Sequence, residues 1–188
     1  MRWGILSTGR IAHQFATGLS DLPDTELVAV GSRSIVTANV FANQFNIPHR
    51  HGSYDSLAQD PDVDVIYIAT PHSLHQENAL MCLKMGKAVL CEKPFTINVQ
   101  QAEVVIQVAR EKGIFLMEAM WTRFLPHILK VQQMINDGLI GQPRILQASV
   151  GDQKELDPSN RFFNPKLGGG SLIDVGIYAA TLAHLIFG

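Results

Sequence analysis

The sequence predicts an α/β fold: an N-terminal doubly wound parallel sheet, followed by the beginning of an α/β C-terminal domain. Three observations predict it. Short apolar runs alternate with amphipathic stretches over residues 2–117, as strands and crossover helices do. The first apolar run passes straight into a glycine-bearing turn, Ser7-Thr8-Gly9. Beyond Thr122 the alternation stops, which divides the chain into residues 1–122 and 123–188.

The elements follow in order. Residues 2–7 form a first strand, and the next helix places Ile11, Phe15 and Leu19 on one face at helical spacing. Residues 26–31 form a second strand and residues 36–45 a second helix. The β-branched and aromatic run at 63–69, ending before Pro71, is the third strand. A helix over 75–85 stops at Gly86, a strand spans 88–91, a helix over 99–112 stops at Gly113, and a strand follows at 114–117. In the second part, Ile128, Val131 and Ile135 mark one helix face. Residues 144–150 read as a strand, and Val175, Ala179, Leu182 and Ile186 mark a final helix after Gly168-Gly169-Gly170. A lone strand leaves both edges unpaired and cannot form a sheet. The second part is therefore expected to be completed by another chain or by further sequence.

Composition excludes several functions. Of 188 residues, 46% are hydrophobic and 17% charged, ordinary for a globular protein. A net charge of −2 steers the chain toward neither nucleic acid nor anionic membrane. Neither a signal peptide nor a transmembrane stretch stands out, and Cys82 and Cys91 alone make no disulfide framework, so a cytoplasmic location is expected.

The first strand-to-helix turn carries a modified dinucleotide fingerprint. Ser7 takes the first glycine position, Gly9 the second and Ala12 the third. Ser7, Thr8, Gly9, Arg10 and Ile11 would then surround a pyrophosphate at a helix N-terminus, where backbone N–H groups point at anionic oxygens. This is the Rossmann context. At the end of the second strand an NAD site places a carboxylate on the ribose. Here the residues are Ser32-Arg33-Ser34, a cation flanked by hydroxyls, which favours the 2′-phosphate of NADP over NAD.

Ligands in such sheets sit beyond the carboxyl ends of the strands. Thr70, Pro71, His72 and His75 lie there after the third strand, and Glu92-Lys93-Pro94 after the fourth. Cys91-Glu92-Lys93-Pro94-Phe95, the N-terminal fingerprint, and the run from Gly168 through Asp174 to Tyr178 together resemble the Gfo/Idh/MocA oxidoreductase family. Met117-Glu118-Ala119-Met120-Trp121-Thr122-Arg123-Phe124 resembles its dihydrodiol and D-xylose dehydrogenase branch. The resemblance implies an NADP-dependent dehydrogenase acting on a cyclic polyol, either an aldopyranose such as xylose or a trans-dihydrodiol; the competing expectation is an NADP-binding regulatory or sensor protein, or an inactive fragment, without turnover. It implies Lys93 as the active-site lysine, ahead of a proline whose peptide bond is often cis. It makes Tyr178 the general acid/base and Asp174 its neighbour one turn earlier, with His75 and Arg123 at pocket positions. In this branch an arginine that clamps the 2′-phosphate would fall near Thr37, which leaves the clamp here to Arg33. The resemblance also implies a homodimer formed through a C-terminal sheet, most of which this sequence does not contain.

The chemistry is coherent. Oxidising an alcohol needs a hydride acceptor and a base for the hydroxyl proton. A phenol is a poor base at neutral pH, and a neighbouring ammonium favours its phenolate. Plainer roles compete at some positions. Ser171 and Asp174 also read as a helix-capping pair, and Trp121 and Phe124 as either core or pocket wall. The pairs His49/His51 and His72/His75 have ligand spacing, but with no third ligand in register no metal is expected.

Overall fold

The computed structural model describes residues 1–188 and divides into two compact units, Met1–Ala119 and Met120–Gly188. The first contains β1 (Arg2–Leu6), α1 (Arg10–Leu19), β2 (Glu26–Gly31), α2 (Ile35–Phe45), β3 (His49–His51), α3 (Tyr54–Ala58), β4 (Val65–Ile68), α4 (His75–Lys84), β5 (Ala88–Glu92), α5 (Val99–Lys112) and β6 (Leu116–Ala119). All six strands run parallel in the order β3-β2-β1-β4-β5-β6, the doubly wound Rossmann arrangement. The order reverses between β1 and β4, which opens a crevice at their carboxyl ends.

Side-chain alternation along the strands builds two cores. Ile5, Val30, Tyr67 and Ala69 face α1 and α2, where they meet Ala12, Ala16, Phe41 and Ala42. Val28, Ile66, Ile68, Val89 and Cys91 face the other way, onto Leu57, Leu83, Val105 and Ala109. Cys82 and Cys91 sit inside this second core as free thiols. Burial pushes the Cys82 thiol up to about 12, so it stays protonated and unreactive.

Three differences from the sequence reading fall in this unit. β3 and α3 went unpredicted, because a three-residue polar strand carries no apolar alternation; it exists through its pairing with Ala29–Gly31 of β2. On α1 the buried face is Ala12, Ala16 and Leu19, while Ile11 is exposed. Close helix–sheet packing takes small side chains there, and Phe15 stacks on Tyr67 at 3.8 Å from the flank. The last strand begins at Leu116 rather than 114, because the Ile114 N–H closes the end of α5 on Ala109 O. That shift brings Glu118 into the strand.

Gly31 is fixed by packing. A Cβ there would lie 2.8 Å from Leu57 Cβ and 3.3 Å from Ser53 O. Gly31→Ala is accordingly expected to destabilise the chain by about 1–3 kcal/mol through overpacking, read as a fall in urea midpoint at unchanged slope.

The second unit holds α6 (Pro126–Asn136), 3₁₀ turns at Trp121–Phe124 and Pro165–Leu167, a π-wound turn at Leu172–Gly176, and α7 (Ile177–Phe187). Residues 144–150, read above as a strand, take no regular structure. No neighbouring strand exists to satisfy their backbone groups. On α6 the inner face includes Ile128, Gln132 and Ile135, whereas Val131 is exposed. Ser171 does not cap: it has helical dihedrals and its side chain accepts no capping hydrogen bond. A stretch absent from the sequence reading also emerges. Residues Pro165–Phe187, wound as 3₁₀, π and α turns and interrupted at Gly168–Gly170, include an 18-residue window of mean hydropathy 1.5, apolar enough by length and composition alone to cross a bilayer. The stretch contains three consecutive glycines and Asp174, and a carboxylate at a bilayer centre costs about 2.5–3.5 kcal/mol.

Candidate active site

The β1–α1 turn and the end of β2 form one pocket. A cavity of about 360 Å³ is lined by Ser7, Thr8, Ser32, Arg33, Ser34, Thr37 and Tyr54. The Ser7 N–H donates to Gly31 O at 2.8 Å and joins the two strand ends. Ser32 Oγ and Thr37 Oγ1 share a hydrogen bond of 2.6 Å, and the Thr37 hydroxyl also reaches Ser34 O at 2.9 Å. The Ser34 hydroxyl accepts from the Val36 N–H and so caps α2. The Arg33 side chain is exposed at the pocket rim.

Gly9 begins α1 in an extended conformation (φ −76°, ψ 178°) that any residue could adopt, and no side chain caps the helix. A Cβ at Gly9 would meet no atom within 4 Å. The glycine therefore serves neither the local fold nor the packing; it keeps open the approach to the first-turn N–H groups of α1, near Arg10 and Ile11. No acidic residue occupies that first turn to neutralise the helix dipole.

Ser7, standing where the fingerprint has glycine, holds φ at 96°. A side chain in that region is strained by roughly 1–3 kcal/mol. Ser7→Gly is expected to raise stability by about 1 kcal/mol, measured by thermal or chemical unfolding.

The ends of β4, β5 and β6 gather a second group. His75 is fully buried; its Nδ1 lies 2.8 Å from Pro94 O and its Nε2 lies 2.9 Å from Thr70 O. Both partners can only accept, so the ring nitrogen that carries the proton donates to the carbonyl it faces. His75 thus braces the loop after β4 against the loop after β5. Asn78 Nδ2 donates to Thr70 Oγ1 at 3.0 Å and fixes the same loop, in which His72 is buried. The Lys93–Pro94 peptide bond is cis.

Glu92 lies beneath Lys93. Its Oε1 accepts from the Tyr67 hydroxyl at 2.5 Å and its Oε2 from the Lys93 N–H at 3.1 Å. Burial holds the Glu92 carboxyl above the usual range, against the hydrogen bonds from Tyr67 and Lys93. Burial, and then the neighbouring Glu92 charge, push the Tyr67 hydroxyl well above its ordinary value, so it remains a donor. Glu118 Oε1 accepts from the Phe95 N–H at 2.8 Å and pins the far side of this turn. Tyr67, Asn78 and Glu118 were not foreseen as site residues, though Glu118 lay inside the run beginning at Met117. Thr37 was named only as the position near which the branch's clamping arginine would fall.

Asp174, Tyr178 and Arg123 belong to the second unit. Asp174 Oδ1 pairs with Arg161 at 3.5 Å, and the Arg161 guanidinium lies 4.0 Å over the Phe162 ring. The Tyr178 hydroxyl accepts from Trp121 Nε1 at 3.3 Å, with the rings edge to face. Trp121 and Phe124 are 52% and 57% exposed, so neither is core. Arg123 is exposed on the same 3₁₀ turn. Asp174 lies within the π-wound turn, which runs directly into the start of α7, where Tyr178 sits. Such widened turns recur at functional sites.

Comparison with known proteins places this geometry. Residues 1–120 match the model of an oxidoreductase family with an NAD-binding Rossmann fold, and residues 128–188 match the Gfo/Idh/MocA C-terminal domain. Trans-1,2-dihydrobenzene-1,2-diol dehydrogenase of Mus musculus is 44% identical over 190 residues, covering 100% of this chain and 56% of that protein. The Xenopus laevis protein of the same name is 42% identical, covering 99% and 56%. Among solved structures, KijD10, a 3-ketoreductase from Actinomadura kijaniata in complex with NADP and TDP-benzene, superposes with a TM-score of 0.84 at 32% identity, covering 100% of this chain and 57% of that one. The chain spans little more than half the length of these relatives.

Proposed function

The chain belongs to the Gfo/Idh/MocA oxidoreductase family, and we propose that it binds NADP and acts in a dehydrogenase of cyclic polyols, such as trans-dihydrodiols or aldopyranoses like D-xylose. The observation that carries the reading is the pocket beyond β1 and β2. It offers Arg33 and the hydroxyls of Ser32, Ser34 and Thr37 where an NAD site offers a carboxylate. Relatives named for dihydrodiol oxidation and an NADP-bound ketoreductase of the same fold support it.

The residues present fit the dinucleotide. The open space at Gly9 lets the α1 amides meet the pyrophosphate, and Arg33 with the three hydroxyls holds the 2′-phosphate. When bound, NADP supplies the hydride acceptor. Tyr178 takes the proton from the reacting hydroxyl, and Asp174 orients the helical turn before it. Lys93 supplies an ammonium that can hydrogen-bond a reacting oxygen and favour its negative charge. Glu92 and Glu118, bonded to the backbone on either side of Pro94, fix where Lys93 begins. The phenol and the ammonium come from different units of the chain.

Titrating the chain with NADPH and NADH, and then following reduced cofactor with trans-dihydrobenzenediol and D-xylose, tests the reading. NADPH binding tighter than NADH, with turnover of at least one polyol, is the expected result. Equal affinity for the two cofactors would remove the Arg33 assignment. Tight NADPH binding without turnover of any polyol would make the protein a binding module.

A further inference from the structure

The chemistry above leaves one side-chain cluster unused. His49 and His51 are two apart on β3, so their rings emerge on one face of the edge strand. The fold sets a carboxylate between them. His49 Nδ1 and His51 Nε2 each lie 2.8 Å from the same oxygen, Asp60 Oδ2. Asp60 comes from the turn after α3, and its side chain is 4% exposed. Its other oxygen accepts from the Asp62 N–H at 2.9 Å. That turn carries Asp62 round until its Oδ2 is 3.9 Å from His49 Nε2. Ligand atoms of His49, Asp60 and Asp62 all lie within 4.8 Å of one another.

We propose that His49, Asp60 and Asp62 form a binding site for a divalent transition metal such as Zn²⁺, with His51 holding the Asp60 carboxylate in place. The donor set fits: imidazole nitrogen with carboxylate oxygen suits Zn²⁺, Co²⁺ and Ni²⁺, and two carboxylates balance the charge of a dication. Ligand atoms about 2.0–2.1 Å from a tetrahedral ion stand roughly 3.3 Å apart. The 2.8 Å contact to Asp60 is made by Nδ1 of His49 and the 3.9 Å contact to Asp62 by Nε2, so the ring must turn to present a single nitrogen to both carboxylates. The cluster has a floor and a mouth. Asp60 and His51 are well covered, while His49 and Asp62 are open enough to admit an ion.

The neighbouring cations do not occupy the proposed ligand atoms. Arg2 holds Asp62 by Oδ1, at 2.9 Å, and leaves Oδ2 turned to His49. Lys87 Nζ donates to the backbone carbonyl of Asp60, at 2.6 Å, not to its carboxylate. Burial acts to raise the Asp60 carboxyl, but hydrogen bonds from the Asp62 N–H and both histidines outweigh it and keep the group ionised. The ion would tie the edge strand to the segment ahead of β4. The Ser32 N–H donates to His51 O at 3.1 Å, so the tie also supports the wall of the pocket.

Calorimetry and equilibrium dialysis of the untagged chain with Zn²⁺ alone test the site. One equivalent is expected to bind at micromolar concentration or below, and Co²⁺ in its place should give the visible absorption of a four-coordinate ion. His49→Ala and Asp62→Ala alter only partly exposed side chains. Each should keep the far-ultraviolet circular dichroism of the parent and lower Zn²⁺ affinity at least about tenfold. Asp60→Asn risks the fold and is not needed for the decision. Absence of stoichiometric Zn²⁺ binding by the parent chain overturns the proposal. So does equally tight binding by His49→Ala, which would put the ion on His13, His127 or His184.

Discussion

Arg33→Asp lowers affinity for NADP by roughly a hundredfold or more, and raises affinity for NAD. A hydrogen bond to a charged group contributes about 1.5–3 kcal/mol. Replacing the cation with a carboxylate sets like charges face to face at the 2′-phosphate. Each 1.4 kcal/mol is about a factor of ten, so the two effects together reach the stated range. The same carboxylate sits where an NAD site bonds the ribose hydroxyls, which is why affinity for NAD should rise. Arg33 is exposed at the rim and takes no part in either core, so the melting temperature should stay within a degree or two of the parent. Fluorescence titration with NADPH and NADH measures both changes. An unchanged preference would move the 2′-phosphate to another group, with Arg10, the first residue of α1, as the next candidate cation.

Lys93→Met is expected to reduce kcat/KM for any polyol substrate by about 10²–10⁴, with NADPH affinity changed less than about threefold. Methionine keeps a long apolar stem and removes only the ammonium. The contacts that set the turn are made by its own backbone N–H to Glu92 and by the Phe95 N–H to Glu118, and both survive the substitution. Lys93→Arg should restore little, because a planar guanidinium does not present a point charge at the same place. Steady-state kinetics alongside cofactor titration separates the two effects. A parallel loss of cofactor affinity would make Lys93 a binding residue and not part of the proton and hydride chemistry.

The cofactor domain was legible in the sequence because its signals are local. The β-branched run at Val65–Ile68 made a strand, and Gly86 and Gly113, at φ 78° and 62°, ended the helices before them. Arg33 and the Gly9 turn were placed by their distance from strand ends. Less was legible where a neighbour decides. β3 has three polar residues and no pattern, and it forms because β2 offers an edge. Residues 144–150 have a strand-like composition and no edge to join, so they stay irregular. Ser171 had the spacing of a cap, yet the helical winding already includes it. Ile11 had the spacing of a core residue, yet the close approach of α1 to the sheet admits alanine and turns isoleucine outward.

By itself the sequence determined the alternating strands and helices, the phosphate turn and the polarity of the cofactor pocket. Each depends on residues a few positions apart, through backbone periodicity and turn chemistry. Only the tertiary structure decided what lies behind those residues. Tyr67 beneath Glu92, Glu118 on the Phe95 N–H, His75 between two loops and Asp60 between two histidines are contacts between different strands, helices and turns. They depend on strand order and register, which sequence spacing does not carry. The doubly wound sheet opened as a prediction from alternation. The fold added that its fingerprint tolerates a strained serine, and that a carboxylate from the turn after α3 lies between the two histidines of its edge strand.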